Sequence, residues 1–317
     1  MSTQGLSISL VPLALRRING VKTVSSGAVN RTIPQPEFSE TLRRYHQQAS
    51  MPPRGVPKTV IGLWKSEGFS TTFGKYRLPE NTLNDPRVPR ESLGIAHVGY
   101  GAASTEHTLF DTDKLKEIGD TKCEPNFRGF YYEGIGSIMR IYEPGIFKKM
   151  CGILGLIPRN APPGPDNTGF FAKFFSTFPA EEQRLITHGY GRLIAFSKIS
   201  VYKAIEEAAV LPQKHVYPAV QGIAFAFAMM NHAEMPRLLE NSNIDYPGQI
   251  RAAFQDGLVY GMIFCEWFTP GLLSAWKCQG KLEEKLIERA RSESALNLKR
   301  GYPLSFALEK SIAAAAV

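Results

Sequence analysis

The chain has 317 residues, of which 43% are hydrophobic and 21% charged, a composition typical of a globular protein with ample material for a core. No uncharged apolar run reaches the roughly 18 residues that a membrane span requires, so we expect no integral membrane protein. The four cysteines include no Cys-x-x-Cys pair, which favours reduced thiols and a cytoplasmic location.

The formal net charge of +8 comes entirely from the N-terminal part of the chain. Residues 1–90 hold 13 Lys or Arg against 5 Asp or Glu, whereas residues 91–317 hold 24 of each. The basic residues are scattered through segments that contain Pro and Ser, and they are not clustered as on a folded binding face, so no nucleic-acid partner is expected. We interpret residues 1–58 as a disordered basic segment. A targeting peptide is the alternative, because residues 1–36 contain no acidic residue.

Beyond this segment we predict one helical domain in two parts, 59–157 and 170–315, joined by a Pro- and Gly-rich linker. In the first part, Gly99-x-Gly101-x-x-Ser104 is close to a dinucleotide-binding fingerprint. No long helix follows it directly, so a nucleotide-binding loop is not expected there.

Helices are predicted through the second part of the chain from the spacing of apolar residues. Before them, Asp113 is predicted to be the N-cap of a short helix. The later helices are predicted at residues 180–211, 218–240, 249–267, 272–297 and 302–315.

One short phrase recurs four times between residues 130 and 268: a polar side chain directly before a glycine, followed by an apolar run with helical spacing. The copies are Glu133-Gly134, His188-Gly189, Gln221-Gly222 and Asp256-Gly257. Successive glycines lie 55, 33 and 35 residues apart, and the last two intervals fit one helical hairpin per copy.

Glycine inside a helix costs about 1 kcal/mol relative to alanine, so we expect these glycines to permit the close approach of two backbones. A second small residue follows two positions later in three copies, whereas the fourth copy has Val259. Apolar residues also occupy the opposite faces of these segments, as in helices buried nearly all round. The predicted fold is all-α: a degenerate helical-hairpin repeat or bundle around a central apolar cavity, with a small irregular N-terminal portion.

Several segments resemble a family called domain of unknown function 1702. They are Glu91–Tyr100, Arg128–Gly134, the helix with Gly189-Tyr-Gly191, and Tyr217–Ala226, and the likeness covers roughly residues 60 to 310. Bacterial members are similar in length, and some belong to gene clusters for specialised metabolites, including enediynes. The resemblance therefore implies a role in such biosynthesis, and it supplies no catalytic residues.

The four polar residues of the phrase would converge on a shared interior if the copies are equivalent. A carboxylic acid in apolar surroundings can donate a proton near neutral pH, and a neighbouring histidine can take one back. We interpret Asp256 and Glu133 as candidate acids, His188 as the candidate base, and Gln221 as a group that orients the substrate. For each residue alone, the alternative is a buried polar group satisfied by a neighbouring helix.

Aromatic side chains at helical spacing would line the cavity and bind the substrate: Tyr132, Tyr190, Phe225, Tyr260 and Trp267. Aromatic faces stabilise cations by about 0.5–2 kcal/mol each, which suits a carbocation in a cyclase, although core packing is the alternative. Histidine pairs, P-loops, Gly-x-Ser-x-Gly elbows and the Asp-rich motifs of terpene cyclases are absent, so neither a metal site nor a cofactor is expected.

Two hypotheses follow from the sequence. The first is a specialised-metabolite enzyme, a cofactor-independent cyclase or isomerase acting by acid–base chemistry on a hydrophobic polyene or polyprenyl substrate, as in terpenoid biosynthesis. The alternative is a non-catalytic helical-repeat protein that binds a lipid-like intermediate or a partner biosynthetic enzyme, with the basic N-terminal segment as a docking arm. A homodimer is compatible with both.

Overall fold

The computed structural model describes residue 83 and residues 90–108, 110–141, 174–198, 200–231, 246–268 and 270–299. Within these ranges the protein is all-α, as predicted, and contains no strand. The predicted N-terminal segment, the predicted linker and the predicted helix at 302–315 lie outside the described residues. Of the helices in the described ranges, none has the length and apolarity needed to cross a bilayer.

Nine α-helices are described, and a 3₁₀ turn at Pro125–Phe127 precedes the third. They are α1 (Arg90–His107), α2 (Thr112–Thr121), α3 (Arg128–Ile141), α4 (Ala180–Ser197), α5 (Val201–Ala209), α6 (Gln213–Asn231), α7 (Gly248–Phe268), α8 (Leu272–Ala275) and α9 (Lys281–Lys299).

The predicted N-cap of the short helix α2 is wrong by two residues. Asp111 is the N-cap, because its side chain accepts a hydrogen bond from the backbone N–H of Lys114 at 3.2 Å. Asp113 lies in the first turn of the helix, where a negative charge still favours the helix dipole.

The segment predicted as one helix at 180–211 is divided into α4 and α5. Lys198 is extended and ends α4, and Ser200 then caps α5 by accepting from the backbone N–H of Lys203 at 3.5 Å. A serine that caps a new helix offers the backbone an alternative to continuing the old one.

The segment predicted as one helix at 272–297 is likewise divided, into α8 and α9. Glu283 accepts hydrogen bonds from the backbone N–H of Gln279 at 2.5 Å and from the indole N–H of Trp276 at 2.9 Å. Its carboxylate therefore satisfies donors ahead of α9 and fixes where that helix begins.

Five helices, α1, α3, α4, α6 and α7, pack side by side in chain order, and we call them the inner helices. The last of them, α7, also touches α1, so the row curls until its two ends meet. Contacts between α6 and α7 advance together along both helices, from Gln213 with Gln249, through Tyr217 with Asp256, to Gln221 with Gly257. These two helices therefore run in the same direction.

Glycines bring the inner helices into backbone contact. A Cβ atom added at Gly134, Gly189, Gly222 or Gly257 would lie 1.9–2.2 Å from a carbonyl oxygen of the preceding inner helix, far below the 3.0 Å that real Cβ atoms respect. The carbonyls belong, in the same order, to Val98, Glu133, His188 and Gln221. The predicted close approach of backbones is thus confirmed at all four glycines.

A second set of small residues makes the reciprocal contact. A Cβ added at Gly101, Gly136 or Gly191 would lie 1.7–2.1 Å from a carbonyl of the next inner helix, namely Tyr131, Ile186 or Ala219. Val98-Gly99-Tyr100-Gly101 in α1 thus uses the same positions as the later copies, with valine where they have a polar residue. On α7 the residue at this position is Val259. The long helix that packs against α7 on that side of the row is α9, and it contains no glycine.

Aromatic rings occupy the interior of the row. Phe264 on α7 lies 5.4 Å, between ring centroids, from Phe225 on α6 and 5.9 Å from Phe130 on α3. All three side chains are buried. These rings pack against one another in the described interior, and the central cavity stays a prediction.

Candidate functional site

Glu133 on α3 and His188 on α4 meet inside the row of inner helices. His188 Nδ1 lies 3.3 Å from Glu133 Oε1, and both side chains are 0% exposed. Among the described residues, no side-chain nitrogen or oxygen of either has a well-formed hydrogen bond. The site is therefore a pair of ionisable groups, removed from water, that lie 3.3 Å apart.

The glycine contacts decide where the two side chains lie. Gly189 rests on the carbonyl of Glu133, and Gly222 rests on the carbonyl of His188. Glu133 is thus the residue of α3 that contacts a glycine of α4, and His188 is the residue of α4 that contacts a glycine of α6. Because no side chain separates the backbones at the first of these points, the backbone of Glu133 lies against that of Gly189, the residue next to His188.

Two aromatic rings enclose the imidazole. The centroid of the His188 ring lies 5.4 Å from that of Phe225 on α6 and 5.6 Å from that of Tyr260 on α7. These two rings stack on each other at 4.9 Å. Phe225 and Tyr260 are therefore the two predicted substrate-binding aromatics that the structure brings to the pair.

A second polar layer lies one helical turn further along α3 and α4. Arg192, 1% exposed, donates from Nη2 to Ser137 Oγ at 2.9 Å. The hydroxyl of Ser137 in turn lies 3.0 Å from the carbonyl oxygen of Glu133 and 3.3 Å from that of Gly189. The repeated phrase does not single out these residues, although each stands four positions after a member of the pair and shares its helix face.

Asp256, the other predicted acid, has partners of its own. Its Oδ2 accepts from the hydroxyl of Tyr217 at 2.5 Å, and its Oδ1 accepts from Nη1 of Arg289 at 2.5 Å. Burial and the bond to Asp256 raise the pKa of Tyr217. The side chains of Asp256 and Arg289 are 18% and 41% exposed, so this carboxylate is a partly solvated tie between α6, α7 and α9.

The remaining predicted site residues make other contacts. Gln221 is fully buried in α6, and its backbone carbonyl meets Gly257. Tyr132 packs edge-on against Phe178 at 6.1 Å, and the ring of Tyr190 lies 5.3 Å below the guanidinium of Arg140. Trp267 is half-buried near the end of α7 and packs against the core.

His97 illustrates the structural alternative for a buried histidine. Its Nδ1 lies 2.7 Å from the carbonyl of Leu93, and its Nε2 accepts from the backbone N–H of Glu124 at 3.2 Å. Burial lowers the pKa of His97 to about 4, against the opposing effect of the bond to Leu93. A neutral ring with its proton on Nδ1 satisfies both bonds, which tie α1 to the turn before α3. His188 has no such backbone partners in the described chain.

The described ranges contain neither a metal-binding group nor a disulfide. No group of three or more His, Cys, Asp or Glu side chains there could hold a metal ion, and Cys123, Cys265 and Cys278 are free thiols.

Comparison of the chain with protein-family models, curated proteins and solved structures finds no match in any of the three. The chemistry of the site therefore has to be argued from the geometry of Glu133 and His188.

Proposed function

We propose that this protein is an enzyme that moves protons on an apolar substrate, a cofactor-independent cyclase or isomerase in which Glu133 and His188 are the acid and the base. The supporting observation is the fully buried pair, 3.3 Å apart, beside the stacked rings of Phe225 and Tyr260. The resemblance to a family with members in specialised-metabolite gene clusters is in line with this proposal.

The energetics of burial favour a functional role for the pair. Removing an ion from water costs several kcal/mol even after relaxation, and a well-packed apolar pair of similar volume is often as stable as a buried ion pair. The surrounding core contains many Phe, Ile and Met side chains that could supply such apolar packing. A buried pair that brings no advantage in stability over apolar packing is therefore a candidate for a functional role.

The chemistry needs only the two side chains. Glu133 in its acid form gives its proton to one carbon of a double bond, which leaves a carbocation on the substrate. His188 removes a proton from a neighbouring carbon and restores a double bond, so the substrate is isomerised or, after ring closure, cyclised with no net change in atoms or electrons. Transfer of the proton from His188 back to Glu133 across the 3.3 Å gap resets the pair.

The surroundings suit such an intermediate. The faces of Phe225 and Tyr260 stabilise a positive charge by about 0.5–2 kcal/mol each, and they exclude water that would quench it. Access requires the interior to open, since neither member of the pair is exposed. Among the inner helices, α1 and α7 touch over a shorter stretch than the neighbours joined by glycine contacts, so opening there disrupts the least packing.

The test uses squalene and all-trans-geranylgeraniol as probes, incubated with the purified full chain in D₂O and analysed by mass spectrometry. We expect the wild-type protein to incorporate deuterium into a rearranged product. Glu133→Gln and His188→Gln should each abolish this incorporation while remaining folded by circular dichroism. Asp256→Asn is the matched control, because its carboxylate belongs to the tie with Arg289, and it should retain activity.

Two outcomes would contradict the proposal. Retention of deuterium incorporation in Glu133→Gln would remove the acid from the mechanism. Wild-type protein that binds both probes, measured by quenching of tryptophan fluorescence, yet transfers no deuterium to either, would support the alternative of a non-catalytic carrier for lipid-like molecules.

A further inference from the structure

We propose that Ser137 and Arg192 are positioning residues that set the geometry of the Glu133–His188 pair. This inference rests on the proposed function, since it assigns a role to two residues next to the site. Neither residue contacts the imidazole or the carboxylate in a hydrogen bond, so both would act through the backbone that carries the pair.

The hydroxyl of Ser137 lies beside the contact between Gly189 and the carbonyl of Glu133. Its oxygen is 3.0 Å from the carbonyl of Glu133, and the same carbonyl is the one against which Gly189 packs. It is also 3.3 Å from the carbonyl of Gly189, the residue that follows His188. One hydroxyl thus lies within reach of the carbonyl of Glu133 and of the carbonyl of the residue directly after His188.

Arg192 determines which way that hydrogen points. A serine hydroxyl has one donor hydrogen and two acceptor lone pairs, and the hydrogen rotates to suit its surroundings. Nη2 of Arg192 donates to Ser137 Oγ at 2.9 Å, which occupies a lone pair and turns the hydrogen toward the two carbonyls. Charge-assisted bonds of this kind are shorter and stronger than neutral ones. The chain of contacts therefore runs from Arg192 through Ser137 to the backbone of Glu133 and Gly189.

Position along the helices gives a second line of support. Ser137 and Arg192 each stand four residues after a member of the pair, so they project from the same faces of α3 and α4, one turn away. Both are buried, at 4% and 1% exposure. A buried charge is costly unless it is paired and hydrogen-bonded, and the bond to Ser137 Oγ is one of the contacts that hold the guanidinium of Arg192.

The test reads the pair directly by ¹⁵N NMR of histidine-labelled full-length protein, with the His188 signals assigned from the His188→Gln variant. We expect Ser137→Ala and Arg192→Gln to displace the Nδ1 signal of His188 from its wild-type position. Arg192→Lys keeps a donor for the hydroxyl and should restore most of that shift. Ser137→Ala removes a single oxygen atom, so the test does not depend on whether Arg192→Gln folds.

Arg140→Gln is the matched control. Arg140 is a second buried arginine among the described residues of α3, at 2% exposure, and it binds Tyr190 and Glu207. Its loss should lower the melting temperature and leave the Nδ1 signal in place. A displaced signal in Arg140→Gln would show that any loss of packing in this interface moves the signal, and would contradict a specific role for Ser137 and Arg192. Unchanged signals in Ser137→Ala and Arg192→Gln would overturn the inference.

The outcomes for the inference and for the proposed function can be separated. If Glu133→Gln abolishes deuterium incorporation while Ser137→Ala leaves the Nδ1 signal unchanged, the enzyme stands and the positioning role fails. If Ser137→Ala displaces the signal while Glu133→Gln still forms product, the positioning role stands and the catalytic assignment fails.

Discussion

Replacing Gly189 by alanine would force α3 and α4 apart at one of the two glycine contacts between them. The new Cβ atom would lie 1.9 Å from the carbonyl oxygen of Glu133 and 2.6 Å from its carbon. Contacts of real Cβ atoms begin at 3.0 Å, so the backbones must separate by about 1.1 Å, the difference between 3.0 and 1.9 Å. The atoms that the new Cβ would meet are backbone atoms of Glu133, which cannot rotate away as a side chain can.

The cost can be worked from packing. A gap of about 1 Å forfeits a quarter to a half of each atom-pair attraction of about 0.1–0.2 kcal/mol, so roughly 40 such pairs along the interface lose about 1–4 kcal/mol. Overpacking strain adds about 1–3 kcal/mol, and the better helix propensity of alanine returns about 1 kcal/mol. We expect Gly189→Ala to lower the free energy of unfolding by about 3 kcal/mol.

The assay is urea denaturation followed by circular dichroism, with Gly280→Ala as the control. No atom lies within 4 Å of a Cβ built at Gly280, so alanine there should leave the free energy of unfolding unchanged or raise it slightly. We expect Gly189→Ala alone to unfold at a lower urea concentration, with an unchanged slope of unfolding free energy against urea. Equal midpoints for the two variants would show that the inner helices are not in backbone contact at Gly189.

The remaining predictions concern the buried and partly buried ionisable groups. Burial lowers the pKa of His97 from 6.5 to about 4, so the unfolded chain binds a proton that the folded chain refuses, and the free energy of unfolding should fall as pH drops from 6.5 to 4 by at most about 3 kcal/mol. In His97→Gln the slope of unfolding free energy against pH should decrease by up to one proton, and an unchanged slope would show that His97 is protonated in the fold. In a double-mutant cycle of Glu133→Gln and His188→Gln, the unfolding free energies should be non-additive by about 0.5–3 kcal/mol, whereas additivity would mean that the two side chains do not interact. Asp256→Asn should cost about 1 kcal/mol, measured by urea denaturation, because the tie to Arg289 is partly solvated, and a loss above about 3 kcal/mol would place it in the core.

The glycine contacts were accessible from sequence because their physical cause is local. Glycine within an apolar helical pattern is unfavourable unless another backbone comes close, and Gly134, Gly189, Gly222 and Gly257 all satisfy that argument in the structure. The all-α fold follows from the same patterns. The break after Ser197 was less accessible, because it depends on whether Ser200 caps a new helix or continues the old one.

The first inner helix was not predicted, because the phrase was defined by its polar residue. In α1 that position is Val98, yet the backbone contact with Gly134 is the same as in the later helices, since a carbonyl makes it and not a side chain. The pairing of Glu133 with His188, and the separate tie of Asp256 to Arg289, depend on how side chains turn from equivalent backbone positions. The local sequence around Asp256 contains no signal that predicts a distant partner such as Arg289.

The contacts of Gly189 and Gly222 also bear on how the molecule can move. Two helices that rock about their crossing point behave as levers, and displacement grows with distance from the pivot. A rotation of about 10° would carry a residue seven positions away, about 10 Å along the axis, through nearly 2 Å. At the pivot itself the displacement is close to zero. Because Glu133 and His188 sit at these pivots, the helix ends could part to admit a molecule while the distance between the acid and the base stays almost constant.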